Sequence, residues 1–345
     1  MNQPIRVLVC DDSAVLRGAI ARALEADPAI RVVARAANGA EAVQAVSAEP
    51  VDVAVLDIEM PVMDGLTALP KLIEAAPGVR VLMASTLTTR GAEVTLRALR
   101  LGAADYVAKP SALAPDAAAA FRAELLAKVR ALAPRPAAAA PTPAFTLRPV
   151  PRGFAPLLLA IGASTGGPQA LFTLVQGLGR DVRVPVVLTQ HMPPAFTATL
   201  AGHIARLGVL PCTEAEDQAP LLPGRIYVAP GERHLLVVRQ GGGFAARLSD
   251  MPAVNFCRPS VDPMLQSAAE AACGRVLAAI LTGMGHDGLA GVRRVVEAGG
   301  VALAQDAATS VVWGMPGAVA RAGLCHAVLP LGALAPTLRA LLGAR

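Results

Sequence analysis

The chain has 345 residues, more than a single core of ordinary size organises, so two domains of roughly 100–200 residues are expected. Hydrophobic residues make up 54 % and charged residues 17 %, which excludes a mainly disordered chain, since such chains lack the apolar area that offsets ordering entropy. Apolar runs such as Leu157 to Ala163 fall far short of the about 18 residues a membrane helix needs, and the 31 basic and 26 acidic residues are scattered without the Lys/Arg stripe of a nucleic-acid surface.

In chain order, Met1 to Val9 holds one Arg and a short apolar stretch that runs into Asp11-Asp12, so no signal peptide is expected and the protein is expected in the cytoplasm. From Ile5 to about Arg130 short apolar runs alternate with amphipathic stretches, the pattern of a parallel α/β sheet with crossover helices. Strands are predicted at Ile5–Cys10, Ile30–Ala36, Val51–Asp57, Arg80–Ser85 and Asp105–Ala108. Helices are predicted from a Ser13 cap to Ala26, over Gly39–Ala48, and over Glu93–Leu101 with a stop at Gly102. Pro134 to Pro156 is Pro/Ala-rich, cannot form a ladder or a continuous helix, and reads as a linker. The expected division is a domain over 1–130, a linker over 131–155 and a second α/β domain over 156–345.

In the second domain, strands are predicted at Leu157–Ile161, Val184–Thr189, Arg225–Ala229, His234–Val238, Val276–Leu281 and Val301–Ala304, with a hairpin around Gly241-Gly242-Gly243. The five cysteines show no CxxC spacing, so neither a disulfide framework nor a zinc site is indicated.

Three strand ends of the first domain carry chemistry: Asp11-Asp12, Asp57 and Lys109-Pro110. Carboxyl ends of parallel strands share one edge, so these groups converge. Three carboxylates together repel unless a divalent cation lies among them, and oxygen-only ligands suit Mg²⁺. Such a cation would also neutralise an incoming phosphoryl group, with Asp57 as nucleophile and Ser85 and Lys109 on the phosphoryl oxygens. Taken singly, Asp12 or Ser13 reads more readily as a helix cap, and only the joint pattern favours the phosphoryl site.

Together, Asp11-Asp12, Asp57-Ile58-Glu59-Met60-Pro61-Val62-Met63-Asp64-Gly65, Ser85, Tyr106 and Lys109-Pro110 resemble the receiver domain of two-component response regulators. The resemblance implies a flavodoxin-like, five-stranded parallel sheet with Asp57 as phosphate acceptor. It implies Mg²⁺ on Asp12, Asp57 and the backbone carbonyl of Glu59, with Asp11 behind them. It also implies a cis Lys109–Pro110 bond and a switch in which Ser85 and Tyr106 move together.

In the second domain, Ile161-Gly162-Ala163-Ser164-Thr165-Gly166-Gly167-Pro168 follows an apolar strand and leads into a helix-like stretch from Gln169 to Gln176. A small-residue turn there puts Ser164 at a helix N-terminus, where orphan N–H groups and the dipole favour negative charge. A phosphate or dinucleotide loop is the competing reading, although Gly162, Gly166 and Gly167 fit neither GxGxxG nor GxxxxGK[ST]. The next strand runs into His191, and Thr282-Gly283-Met284-Gly285-His286-Asp287-Gly288 follows a later one. A nucleophile Ser164, a base His191 and an orienting Asp287 result, with an oxyanion site of backbone N–H groups near Met284 or Thr165. His286 is the rival base.

The whole chain resembles the CheB family of chemotaxis response regulator protein-glutamate methylesterases, through Ile161–Pro168, Gln190–Phe196, Ala229–His234, Arg258–Asp262, Thr282–Gly288 and Val312–Pro316. That resemblance implies a doubly wound α/β catalytic domain with the triad Ser164, His191 and Asp287, and the Met284 amide in the oxyanion hole. It implies a phosphorylation-activated hydrolase of glutamate γ-methyl esters on cytoplasmic chemoreceptor helices, with glutamine deamidation in some members. The implied partners are those receptors and the histidine kinase of the system, and the esterase reaction needs no cofactor. Cys257 departs from the His that the family often has before Arg258, a residue suited to docking an acidic receptor helix. The alternative is a non-catalytic response regulator acting by protein or DNA binding.

Overall fold

The computed structural model of the chain describes residues 3–109, 115–133 and 145–343, and divides into two compact units, Met1–Ala139 and Ala140–Arg345. Among the described residues no helix is long and apolar enough to cross a membrane.

The first unit runs β1 (Ile5–Cys10), α1 (Ala14–Glu25), β2 (Ile30–Ala36), α2 (Gly39–Ala48), β3 (Val53–Asp57), α3 (Gly65–Ala75), β4 (Arg80–Thr86), α4 (Thr89–Arg100), β5 (Asp105–Lys109) and α5 (Pro115–Leu132). Its sheet has the order β2-β1-β3-β4-β5 with every pair parallel, the predicted five-stranded fold. The connection reverses direction between β1 and β3, so the carboxyl ends of those two strands open the crevice where ligands bind in such sheets. Residues Val53 to Leu56 are almost fully buried because helices cover both faces of a parallel strand. Side-chain caps set the helix starts: Ser13 accepts from the Leu16 N–H, Asn38 from Glu41 and Asp64 from Thr67. Helix α4 begins earlier than its apolar periodicity suggests, at a Thr88 cap that accepts from the Gly91 N–H.

The second unit runs β6 (Leu158–Ala163), α6 (Gly167–Leu178), β7 (Val186–Gln190), α7 (Pro194–Ala205), β8 (Cys212–Glu214), β9 (Ile226–Val228), β10 (His234–Gln240) and β11 (Gly243–Ser249). It continues with α8 (Val261–Ala271), β12 (Val276–Ile280), α9 (Leu289–Glu297), β13 (Val301–Gln305), α10 (Met315–Arg321), β14 (Ala327–Leu329) and α11 (Leu331–Leu342). Seven parallel strands follow the order β14-β13-β12-β6-β7-β9-β8, and β10-β11 is a separate antiparallel hairpin. Strand β6 is central, with β7 on one side and β12 on the other, so this switch point gathers three strand ends.

Of the expected linker, residues 134–144 lie outside the described residues. The rest is not a free tether: the Phe145 ring packs 5.5 Å from that of Trp313, and Arg148 bonds the carbonyls of Cys325 and Gly323. Apolar Phe145 and the polar backbone of this extended stretch both find partners on the second unit, which composition alone does not reveal.

Candidate functional sites

In the first unit, Asp11, Asp12 and Asp57 each offer a carboxylate oxygen within 4.8 Å of the others. Asp11 and Asp57 are buried, and Asp12 is exposed. Lys109 reaches across from β5, with Nζ 2.9 Å from Asp11 and 2.7 Å from Asp57. One ammonium thus answers three carboxylates. Burial pushes the Asp57 carboxyl above its ordinary range, Lys109 draws it down and Asp11 pushes it up, and the net shift is upward. The surplus negative charge and all-oxygen donors suit a hard divalent cation. A cavity of about 280 Å³ beside the cluster is lined by Asp12, Asp57, Glu59, Ser85, Arg90 and Lys109, which brings the sequence-predicted residues together.

Gly65 is required by this geometry, because a Cβ there would lie 2.0 Å from the Asp57 carbonyl oxygen. Ser85 is turned toward helix α4: its hydroxyl accepts from Thr95 Oγ1 at 2.7 Å and lies 3.3 Å from the Gly91 carbonyl. The Tyr106 ring is buried beneath Lys128, whose Nζ stands 4.8 Å from its centroid. Burial drives the Tyr106 hydroxyl far above its ordinary pKa, so it stays neutral. Thr95, the partner of Ser85, escapes the sequence reading because it lies mid-helix. Pro110 lies outside the described residues.

In the second unit, Ser164 leaves β6 and is held by its backbone: its N–H donates to Thr282 O at 3.0 Å, and its carbonyl accepts from Gln190 Nε2 at 2.9 Å. The glycines exist for proximity. A Cβ on Gly167 would fall 1.9 Å from Gln190 Oε1, and one on Gly283 would fall 2.9 Å from Ser164 Cβ. Ala163 and Gln190 pair across β6 and β7, so Ser164 and His191 leave neighbouring strand ends. Among the described residues the Ser164 hydroxyl makes no hydrogen bond, and the N–H groups of Met284 and Thr165 have no acceptor.

His191 Nε2 lies 2.7 Å from Asp287 Oδ2, and the two residues come together from β7 and the loop after β12. The rival His286 is exposed, next to Asp287 in sequence but turned to solvent.

Asp287 is saturated with donors: Val261 N at 2.6 Å, Ser260 Oγ at 2.7 Å, Asn255 Nδ2 at 2.9 Å, Gly288 N at 3.0 Å and Asp262 N at 3.2 Å. Burial alone would raise its pKa, but His191 and these donors hold it well below the ordinary carboxylate range. An ionised carboxylate only accepts, so His191 Nε2 carries a proton and Nδ1 is the nitrogen left for acid–base work. That nitrogen faces Cys257, with Sγ at 3.3 Å.

Asn255, Ser260 and Asp262 were not singled out from sequence for this role; the signal was the Arg258–Asp262 stretch, whose polar residues converge on Asp287 at the start of α8. His234 also gains a structural task. Its Nδ1 accepts from Ser260 N at 3.2 Å and its Nε2 donates to Pro252 O at 3.1 Å, pinning both ends of the segment that carries Asn255 and Cys257.

Residues 159–338 match the family described as CheB methylesterase, and residues 7–116 match the response regulator receiver domain. A Rhodospirillum centenum protein named protein-glutamate methylesterase/protein-glutamine glutaminase of group 2 operon is 52 % identical over 97 % of this chain and 93 % of its own. An Azospirillum brasilense protein-glutamate methylesterase/protein-glutamine glutaminase is 51 % identical over 98 % of this chain and 93 % of its own. Among solved structures, the Thermotoga maritima CheB methylesterase catalytic domain aligns with a TM-score of 0.53 and 39 % identity, covering 54 % of this chain and 99 % of that one.

Proposed function

The chain belongs to the CheB methylesterase family, and from that premise we propose that it is a phosphorylation-activated hydrolase of glutamate γ-methyl esters on chemoreceptors, with Ser164 as its nucleophile. The observation that carries the reading is the 2.7 Å contact of His191 with Asp287 at the sheet edge where Ser164 also leaves its strand. Ser164 Oγ attacks the ester carbonyl and passes its proton to His191 Nδ1, while Asp287 holds Nε2–H and stabilises the imidazolium. The N–H groups of Met284 and Thr165 take the oxyanion. Methanol leaves with the proton from Nδ1, and water then releases the glutamate through the same nitrogen. The same attack on a glutamine amide releases ammonia, in keeping with the double activity in the relatives' names.

For the first unit, the proposed role is acceptance of a phosphoryl group on Asp57 from the histidine kinase of the chemotaxis system. Asp12, Asp57 and the Glu59 carbonyl would hold Mg²⁺, with Asp11 behind them, and the cation would supply charge neutralisation for the incoming phosphoryl group. Lys109 binds a phosphoryl oxygen, and Ser85 turns from Thr95 to meet another as Tyr106 shifts. The proposed boundaries are a receiver over 1–130, a connecting segment over 131–155 and a catalytic domain over 156–345, in the cytoplasm. A test is methanol release from methylated receptor membranes with and without acetyl phosphate. Release that acetyl phosphate stimulates in the wild type but not in Asp57→Asn supports the reading; no release under either condition defeats it.

A further inference from the structure

Two non-glycine residues with positive φ, Asn255 at 52° and Phe256 at 62°, turn the chain back on itself just before Cys257. Paired bonds between Val254 and Cys257, of 3.1 and 2.9 Å, close that turn. The turn sends Asn255 to Asp287 and Asp262 and delivers the half-buried Cys257 sulfur to His191 Nδ1. Both ring nitrogens of His191 are therefore engaged, one by a carboxylate and the other by a thiol.

We propose that Cys257 is a positioning residue for His191: its sulfur holds Nδ1 between turnovers and, by sharing a proton with that nitrogen, sets the pH at which the ring becomes a base. The inference rests on the reading of His191 as the base for Ser164.

Two proton placements fit the 3.3 Å contact. In one the thiol donates to a neutral ring. In the other a thiolate accepts from Nδ1–H of an imidazolium. Both fix the ring plane, and only the first leaves a nitrogen able to take the Ser164 proton. Among the described residues the charged and titratable groups on the ring are Asp287 and Cys257. Asp262 stands behind Asp287, linked to it through Asn255, and Arg258 turns its guanidinium away to the carbonyls of Asp250 and Met251. Burial lowers the His191 pKa, but Asp287 and then Cys257 more than offset that, raising it to about 9. Removing the sulfur takes away one support of the imidazolium, so the ring should become a base at lower pH.

The test uses the full-length protein, phosphorylated by acetyl phosphate with Mg²⁺, as wild type, Cys257→Ala and Cys257→Ser. The rate kcat/KM for methanol release is followed against pH, and the His191 ring is titrated by NMR. In both variants the acid limb and the ring midpoint should move down together by roughly one pH unit, about tenfold in neutral ring below the limb. Serine still donates to Nδ1 and cannot form the anion, so Cys257→Ser should keep its alkaline plateau kcat within about threefold of wild type while Cys257→Ala loses about tenfold. A limb and a ring midpoint unchanged in both variants, with or without a lower plateau, overturn the proposal. Should the wild type release no methanol while the ring midpoint still moves in the variants, the esterase reading fails and the coupling of Cys257 to His191 stands.

Discussion

Asp57 and Asp287 sit in the same kind of place, just at or after the carboxyl end of a parallel strand near a switch point, and their surroundings treat them in opposite ways. Asp287 has five donors besides His191 and is held ionised, so nothing can be added to it without breaking a bond already made. Asp57 has Lys109 and the Ile58 N–H, and Asp11 and Asp12 crowd it. Its pKa is raised where that of Asp287 is lowered. A saturated carboxylate orients a neighbour, and an undersupplied one takes a new partner. The number of donors, more than position in the fold, decides which role an aspartate at a sheet edge can play.

The most severe break is His191→Ala. It should lower kcat for methanol release by at least about 10³-fold, and adding Ser164→Ala should cost little more, because the pair acts as a unit. Additive losses measured in that double variant would mean the two residues work separately.

On the other side of the comparison, Asp57→Asn or chelation of divalent cations should remove phosphoryl labelling by acetyl phosphate, whereas Asp287→Asn should leave labelling intact. Label that survives Asp57→Asn, or resists hydroxylamine, would assign the phosphate elsewhere.

A smaller effect sharpens the contrast in stability. Asp287→Asn should destabilise the second unit by on the order of 2–3 kcal/mol, since it breaks a buried charge pair and misplaces a donor among donors. Asp57→Asn should stabilise the first unit, since it relieves repulsion with Asp11 and Asp12. Hydrogen exchange resolved by unit measures both, and effects of the same sign in the two units would erase the distinction.

The pH dependence is the smallest effect. Because the Asp287 pKa is depressed, its stabilisation is present above the ordinary carboxylate value of 3.8 and is lost as pH falls below it. The His191 pKa is raised, so its contribution is complete below 6.5 and is lost as pH rises through about 9. The raised Asp57 gives the opposite trend at the acid end: stability of the first unit falls as pH rises through the range in which that carboxyl ionises. Protection factors of core amides in β3 and in β12 between pH 2 and pH 9 should therefore diverge at both ends.

Much of this contrast was visible in the sequence, because strand ends are marked by an apolar run that stops at a polar residue. Asp57 after Val53–Leu56 and Ser164 after the apolar run through Ala163 follow that rule, and His191 comes two residues past it, since the apolar run of β7 stops at Thr189. Helix α3 did not stand out, since Pro70 lies inside it and reads as a breaker. Strands β8 and β14, three residues each, are too short to show a period. The segment from Pro252 to Ser260 has no periodicity because its shape is set by distant side chains, His234 at its two ends and Asp287 between them. Cys257 could be noticed in the sequence as a departure, but its place on His191 is a product of that turn.

Ser164 as nucleophile is tested by methanol release from methylated receptor membranes by Ser164→Ala beside the wild type, both phosphorylated and both checked for native circular dichroism. A loss of at least about 10³-fold in the variant, with folding and Asp57 labelling unchanged, is the predicted result. Turnover near that of the wild type by the folded variant would rule out Ser164 as the nucleophile.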